Sequence, residues 1–325
     1  MINIFVTGGA GYIGSHICKT LNLNGYIPVT LDNLSRGHQE LVKWGPLEIG
    51  DVADENWLCE IMQKYQPAAV IHCAGFISVA ESVNNPELYY KNNLATSISL
   101  LKAMVKENVK KIIFSSSCAV HGDPQKIPIQ ENDSCIPNTP YGHTKLLVEQ
   151  TIQNYSKNLS YVNLRYFNAA GADPECETGE LHQPETHAIP LAIDASINQT
   201  EFSLFGTDYA TPDGTALRDY IHVTDLAQAH LLALNYLNDG KESCTINVGT
   251  GVGISVRDLI KTISQITKKN LLVKEMPRRN GDAPELIANP NRAKELLGFF
   301  PEFSDIETIV KTAFEWHRNI NKFSL

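Results

Sequence analysis

An α/β fold with a doubly wound parallel sheet and a second, smaller α/β unit is predicted by three observations. Short apolar strands alternate with helical patterns over the first 170 residues, a glycine turn follows the first strand directly, and a carboxylate ends the second. The strand candidates are Ile2–Val6, Pro28–Leu31, Ala68–Ala74, Lys111–Ser115 and Tyr161–Asn168. Each is a nearly continuous run of β-branched or apolar residues, the pattern of strands buried on both faces. Between them the spacing nears 3.6, as in Leu94, Ile98, Leu101 and Val105, which predicts one apolar helix face.

After Asn168 the rhythm changes. Residues 171–188 carry Pro174, Gly179 and Pro184 among acidic side chains and read as a loop leaving the first domain. A helix is expected over 223–237 and a strand at Thr245–Val248, both returning to that domain. Ser255 and Asp258 form a capping box that starts a helix over 255–267, and a short helix from Asn291 to Leu297 stops at Gly298. The expected division is 1–170 with returns at about 215–248 for the first domain, and 171–214 with 249–325 for the second.

Composition narrows the function classes. At 325 residues, with 43% hydrophobic and 19% charged residues, the chain has ample material for a core. A net charge of −9 argues against nucleic acid or an anionic membrane as partner. The cysteines at 18, 59, 73, 118, 135, 176 and 244 are odd in number and contain no C-x-x-C pair, which suits a reducing compartment. With no signal-peptide pattern at Met1 and no long apolar run, the expected location is cytoplasmic.

The glycine turn reads Thr7-Gly8-Gly9-Ala10-Gly11-Tyr12-Ile13-Gly14 and opens a helix. Glycines let the backbone turn tightly and approach a pyrophosphate, whose charge then faces a helix N-terminus. Asp32 follows Gly14 by 18 residues, at the end of the second strand. A carboxylate there binds the ribose hydroxyls of NAD and repels the 2′-phosphate of NADP, so the first domain reads as a Rossmann-type NAD site.

A second constellation supplies chemistry. Pro140 pre-sets a helical turn, and Tyr141 and Lys145 then lie one turn apart on the same face. A phenol of pKa about 10 is a poor base. A nearby ammonium and a cationic nicotinamide are expected to bring it toward neutrality. Upstream, Ser115-Ser116-Ser117 ends a strand, where ligands bind in open parallel sheets; a hydroxyl there can hold a reacting alcohol and relay its proton.

With these motifs the sequence resembles the extended short-chain dehydrogenase/reductase family, and within it the nucleotide-sugar 4-epimerase branch. The resemblance covers essentially the whole chain. It is carried by Thr7–His16, Leu31–Ser35, Phe114–Gly122, Tyr141–Lys145, Leu164–Asn168, Leu204–Tyr209, Arg218–Val223 and Arg278–Asp282. It implies an isomerase that interconverts UDP-galactose and UDP-glucose through a 4-keto sugar, with NAD held throughout the cycle. Tyr141 would take the proton of the 4-hydroxyl, Ser117 would relay it, and Lys145 would hold the nicotinamide ribose. To the cofactor the resemblance also assigns Gly8, Gly11, Tyr12, Ile13, Gly14, Asn33, Ser35, Cys73, Ala74, Gly75, Ser115 and Tyr166. Asp51 and Val52 would flank the adenine, and Asn92 would approach the nicotinamide side.

On the substrate side it assigns Arg218, Arg279 and Asn168 to the UDP diphosphate, Asp282 to the uridine ribose, and Leu204 and Phe205 to the uracil. Phe167, His187, Ala188 and Tyr220 complete that set. The chain departs from many members at His121, where tyrosine is common, and at Ile77, where some place a lysine against the cofactor. Leu286 stands where the family varies a side chain beside the sugar 2-position, which leaves UDP-N-acetylglucosamine open as a substrate. UDP-glucuronate 4-epimerase is a further alternative. A nucleotide-sugar dehydratase needs an Asp-Glu pair where this chain has Cys118 and Ala119. His182 and His187 lack zinc spacing and cysteine company, so no metal is expected. The family also implies a homodimer, through helices around 92–107 and 141–157.

Overall fold

Seven parallel strands form the frame that positions the site. The computed structural model describes residues 2–279 and 281–319. Met1, Asn280 of the Arg278–Asp282 run, and the last residues of the expected second domain lie outside the described residues. In chain order the first unit comprises β1 (Ile2–Thr7), α1 (Tyr12–Leu23), β2 (Tyr26–Asp32), β3 (Leu47–Ile49), α2 (Glu55–Tyr65) and β4 (Ala69–His72). It continues with α3 (Val79–Asn84), α4 (Pro86–Tyr89), α5 (Thr96–Lys106), β5 (Lys111–Ser117), α6 (Pro140–Asn154) and β6 (Ser160–Tyr166).

Across the sheet the order is Cys244–Val248, β6, β5, β4, β1, β2, β3. The chain runs outward from β1 to β3 and then crosses back to β4, so the order reverses between β1 and β4. That switch point opens a crevice beyond the carboxyl ends of the strands. The register sets Thr7 beside His72 and His72 beside Phe114.

Two apolar layers cover the sheet. On one face Ile4, Val6, Ile71 and Ile113 pack under α1 and α8 (Val223–Asn238, preceded in the chain by α7, Ala188–Asn198). On the other, Phe5, Val70, Ile112 and Phe114 pack under α2, α5 and α6. Burial on both faces is why these strands are apolar without alternation. The smaller core outside the sheet gathers Ile189, Ile193, Leu259, Ile263, Ile309 and Val310 from α7 and the Val256–Thr267 and Ile306–Asn319 helices. Ser255 caps the first of these two, its hydroxyl accepting from Asp258 N at 3.0 Å. Gly298 ends the Asn291–Leu297 helix in the left-handed conformation.

Two expectations need correction. The buried stripe of α5 is Asn93, Ser97, Leu100, Leu101 and Met104, whereas Leu94, Ile98 and Val105 are only half-buried. Leu94 and Val105 still pack against this apolar layer, but from its edge. The strand expected over Tyr161–Asn168 stops at Tyr166, and Asn168–Ala170 instead pairs with Tyr220–His222 in a separate two-stranded sheet. None of the seven cysteines forms a disulfide among the described residues, and no helix among them is long and apolar enough to cross a membrane.

Candidate active site

The glycine turn is packed against the end of β4. A Cβ on Gly8, whose φ is 70°, would lie 2.8 Å from Ala74 N, and one on Gly14 would lie 2.1 Å from Gly8 O. Only glycine allows the turn and the strand end to approach this closely. Helix α1 starts at Gly11 with no side-chain cap, which leaves its first amides for an anion. Asp32 is buried and accepts from Ala10 N at 3.1 Å through one oxygen and from Leu34 N at 2.9 Å through the other. Burial raises its pKa, and these backbone bonds oppose the rise. Each oxygen keeps a lone pair for a sugar hydroxyl, so turn, helix end and carboxylate fit an adenosine diphosphate with free ribose hydroxyls. Asn33 Nδ2 donates to Asp51 Oδ2 at 3.1 Å, and Asn33 Oδ1 accepts from Ser35 N at 3.0 Å, so three expected cofactor residues share one exposed edge. Val52 is buried beside them in the chain.

Toward the other end of the crevice, Cys73 Sγ lies 3.1 Å from Ser115 Oγ. Asn93, not singled out by the sequence, organises this region: its Oδ1 accepts from Phe76 N at 2.8 Å and from Asn92 Nδ2 at 3.1 Å. Its Nδ2 donates to Phe76 O and Thr144 Oγ1, tying the loop after β4 to α6. A polar residue placed by a π turn gives no periodic signal, which is why pattern reading passed over it.

Tyr141 opens α6, where Thr139 Oγ1 accepts from Gly142 N at 3.2 Å and Pro140 occupies the first turn. Tyr141 and Lys145 are 7% and 3% exposed. The Ser117 hydroxyl lies within hydrogen-bonding reach of the phenol, and it also accepts from Ala119 N at 3.2 Å. Lys145 Nζ donates to Ser115 O at 2.8 Å and lies 5.9 Å from the Tyr141 ring centroid. Burial pushes the Tyr141 phenol up to about 12, against the smaller lowering by Ser117. Burial likewise pulls Lys145 down to about 8. The lowering of the Tyr141 pKa expected from Lys145 and a cationic nicotinamide acting together concerns the NAD-bound enzyme; in the protein alone, desolvation dominates. Tyr166 is raised as well, by burial first and by Tyr141 second.

Glu149 continues the face of Tyr141 and Lys145 one turn further along α6, a spacing visible in the sequence and overlooked there. Arg165 Nε donates to its Oε1 at 2.9 Å and Nη2 to its Oε2 at 2.6 Å, and Ser116 Oγ donates to it too. The pair is almost wholly buried and binds α6 to β5 and β6 beneath the catalytic side chains. His121 lies against Arg165; burial and that guanidinium hold its pKa down to about 4.

Several of the expected substrate residues are engaged with one another. Arg218 forms an ion pair with Asp282 and donates to Leu217 O at 2.8 Å. Arg279 is exposed, its guanidinium 4.0 Å from the Phe205 ring centroid, and Leu204 is buried behind it. Asn168 Nδ2 donates to Asp219 O at 3.2 Å. The carboxylate of Asp219 accepts from Thr250 N, Thr250 Oγ1, Gly251 N and Ala288 N, which fixes this wall. Phe167 packs with Cys118, Ile129, Ala288 and Leu286, so the varied position lies against an assigned substrate residue. Tyr220 is buried, and Ile77 is exposed. His187 precedes Ala188 at the start of α7 and contacts Glu180, not recognised in the sequence.

A Rossmann sheet with a glycine turn at its switch point and a buried tyrosine–lysine pair at a strand-end serine defines an enzyme that works on a nucleotide-linked alcohol. Residues 4–249 match the NAD dependent epimerase/dehydratase family, and the chain belongs to that family. It is similar to a UDP-glucose 4-epimerase of Rhizobium leguminosarum bv. trifolii, at 47% identity covering 98% of both chains. Among solved structures it resembles UDP-glucose 4-epimerase from Brucella ovis in complex with NAD, with a TM-score of 0.95, 47% identity, and coverage of 98% of this chain and 99% of that one. It also resembles the enzyme from Bifidobacterium longum in complex with NAD⁺ and UDP, with a TM-score of 0.92, 35% identity and 98% coverage of each chain.

Proposed function

We propose that this chain is an NAD-dependent isomerase that interconverts UDP-glucose and UDP-galactose at C4 of the hexose. The observation that carries the reading is the buried Tyr141 beside Ser117 at the tip of β5, with Lys145 one turn along α6. Tyr141 Oη takes the proton of the 4-hydroxyl, and Ser117 orients that hydroxyl and relays the proton. NAD, when bound, supplies the acceptor and donor of hydride and adds a positive charge near the phenol. Lys145 keeps a second positive charge on the ring face and binds the nicotinamide ribose. Asp32 accepts from the adenosine ribose, and the turn through Gly8, Gly11 and Gly14 admits the pyrophosphate. Arg218 and Arg279 hold the UDP diphosphate as guanidinium forks suited to phosphate oxygens, while Asp282 exchanges its pairing with Arg218 for the uridine ribose.

A dehydratase needs an acid and a base beside the strand-end serine, and Cys118 and Ala119 supply neither. The enzyme works in the cytoplasm as a homodimer; cysteines outside any disulfide support the first, and the half-buried Leu94, Ile98, Leu146 and Leu147 on α5, its preceding turn and α6 support the second. Purified enzyme given UDP-galactose should form UDP-glucose, read by a coupled dehydrogenase. Tyr141→Phe should lower kcat by about 10²–10⁴ with little change in KM. A 4-keto-6-deoxy product, or undiminished turnover by the variant, refutes this assignment.

A further inference from the structure

One cluster of histidine and glutamate side chains takes no part in the proton transfer above, although His187 belongs to the expected substrate set. Glu180, His182, Glu185 and His187 come from one eight-residue stretch between Asn168–Ala170 and α7, and one donor atom from each lies within 4.8 Å of the others. Both histidines turn Nδ1 inward: His182 Nδ1 lies 2.8 Å from Glu180 Oε1, His187 Nδ1 contacts the same oxygen, and it lies 3.5 Å from Glu185 Oε1. Tetrahedral zinc with bonds of about 2.1 Å sets its ligand atoms roughly 3.4 Å apart, so the four donors, all within 4.8 Å of one another, have to shift by up to about 1.4 Å to hold one ion.

The donors are held by an outer framework. Trp316 Nε1 donates to Glu180 O at 2.8 Å, and Leu181 is buried with Leu41, Ala172 and Trp316. Thr186 N and His187 N both donate to Glu185 Oε1, which orients that carboxylate. Such second contacts are what fix ligand direction in metal sites. The neighbouring cluster of Asp173, Glu175 and Glu177 differs, because Lys19 Nζ already sits among its carboxylates at 2.9, 2.6 and 2.7 Å.

We propose that Glu180, His182, Glu185 and His187 form a binding site for one first-row divalent cation of the zinc type. Two imidazoles with two carboxylates suit zinc and its neighbours better than the all-oxygen preference of magnesium or calcium. The site is structural, since four protein ligands close a tetrahedron. Its place in the fold indicates what it holds: the His182 ring meets Tyr12 edge-on at 6.2 Å between centroids, and Tyr12 Oη donates to Gly171 O at 2.6 Å. A cation here fastens the loop after β6 against the first residue of the glycine-turn helix. The proposal does not depend on the epimerase reading, and its test does not use turnover.

The full chain, carrying no polyhistidine tag, is freed of metal with chelator and titrated with Zn²⁺ and Co²⁺. The expected result is one Zn²⁺ per chain by elemental analysis, visible ligand-field bands of tetrahedral Co²⁺, and a higher unfolding temperature with Zn²⁺. His182→Gln, which keeps a donor for Glu180, should weaken Zn²⁺ binding by at least about 10-fold, the loss that removal of even an outer-shell partner produces. Glu185→Gln should do the same, a second variant in case the first disturbs the loop. Sub-stoichiometric zinc in the unaltered protein, octahedral Co²⁺ spectra, or variants that bind Zn²⁺ as tightly as the unaltered protein overturns the proposal; the four side chains then form only a hydrogen-bonded imidazole–carboxylate cluster.

Discussion

Replacing Lys145 by methionine separates the two things a buried ammonium does. The side chain keeps its length and loses its charge, which lies 5.9 Å from the centroid of the Tyr141 ring. At an effective dielectric of about 20, a unit charge at that distance is worth about 2.8 kcal/mol to a phenolate. That equals about two pKa units on Tyr141. Epimerisation requires the ionised phenol, so rate climbs with pH through the tyrosine pKa, and removing a positive neighbour moves that limb upward. Lys145→Met should therefore shift the kcat profile about two pH units to the alkaline side and cost about 100-fold at pH 7.

The same substitution should stabilise the cofactor-free protein. Burial holds the Lys145 pKa at about 8 against 10.5 in the unfolded chain. Below pH 8 both states carry the proton, and the penalty of roughly 3 kcal/mol stands in full; it fades between pH 8 and 10.5. With an unfolding entropy of about 2.1 cal/mol/K per residue, removing that penalty raises Tm by about 4 °C. The assays are a pH–rate series from pH 6 to 10 and thermal unfolding of NAD-stripped protein at pH 7. An activity loss of equal size at every pH, or a lower Tm in the variant, would refute the electrostatic account.

Three further outcomes follow from other parts of the molecule. Arg279→Ala should raise KM for UDP-galactose by about 10-fold or more and leave Tm within about 1 °C, because this guanidinium is exposed and lies over the face of Phe205; an unchanged KM would remove Arg279 from the site. Glu149→Gln leaves Arg165 buried without its counter-charge and should destabilise the fold by about 3–5 kcal/mol, measured by urea unfolding; a loss below about 1 kcal/mol would mean that water reaches the pair. Burial lowers His16, His121, His222 and His230 to about 4 and His72 to about 3. The unfolded chain binds these protons first, so their stability is whole above about pH 6.5 and drains as pH falls toward 4, by on the order of 3 kcal/mol for each. The urea midpoint should fall steeply across that window, and a flat profile would contradict neutral buried imidazoles.

What the sequence by itself determined is whatever local spacing encodes. The glycine turn, the carboxylate closing β2, the Pro140–Tyr141 helix start and the apolar strand runs are short-range patterns, each tied to a backbone requirement that few residue types meet. Tertiary structure decided what depends on distant residues meeting. The π turn at Tyr90–Ala95 carries Asn93, whose side chain joined the hydrogen-bond frame beside the site only in the folded chain. Arg165 found Glu149 across two elements, and burial raised the pKa of the Tyr141 phenol. His182 and His187, five residues apart in a loop, had no ligand spacing on paper. The folded backbone aimed them at Glu180 and Glu185, because convergence in a loop is set by the framework that bends it and not by any period in the chain.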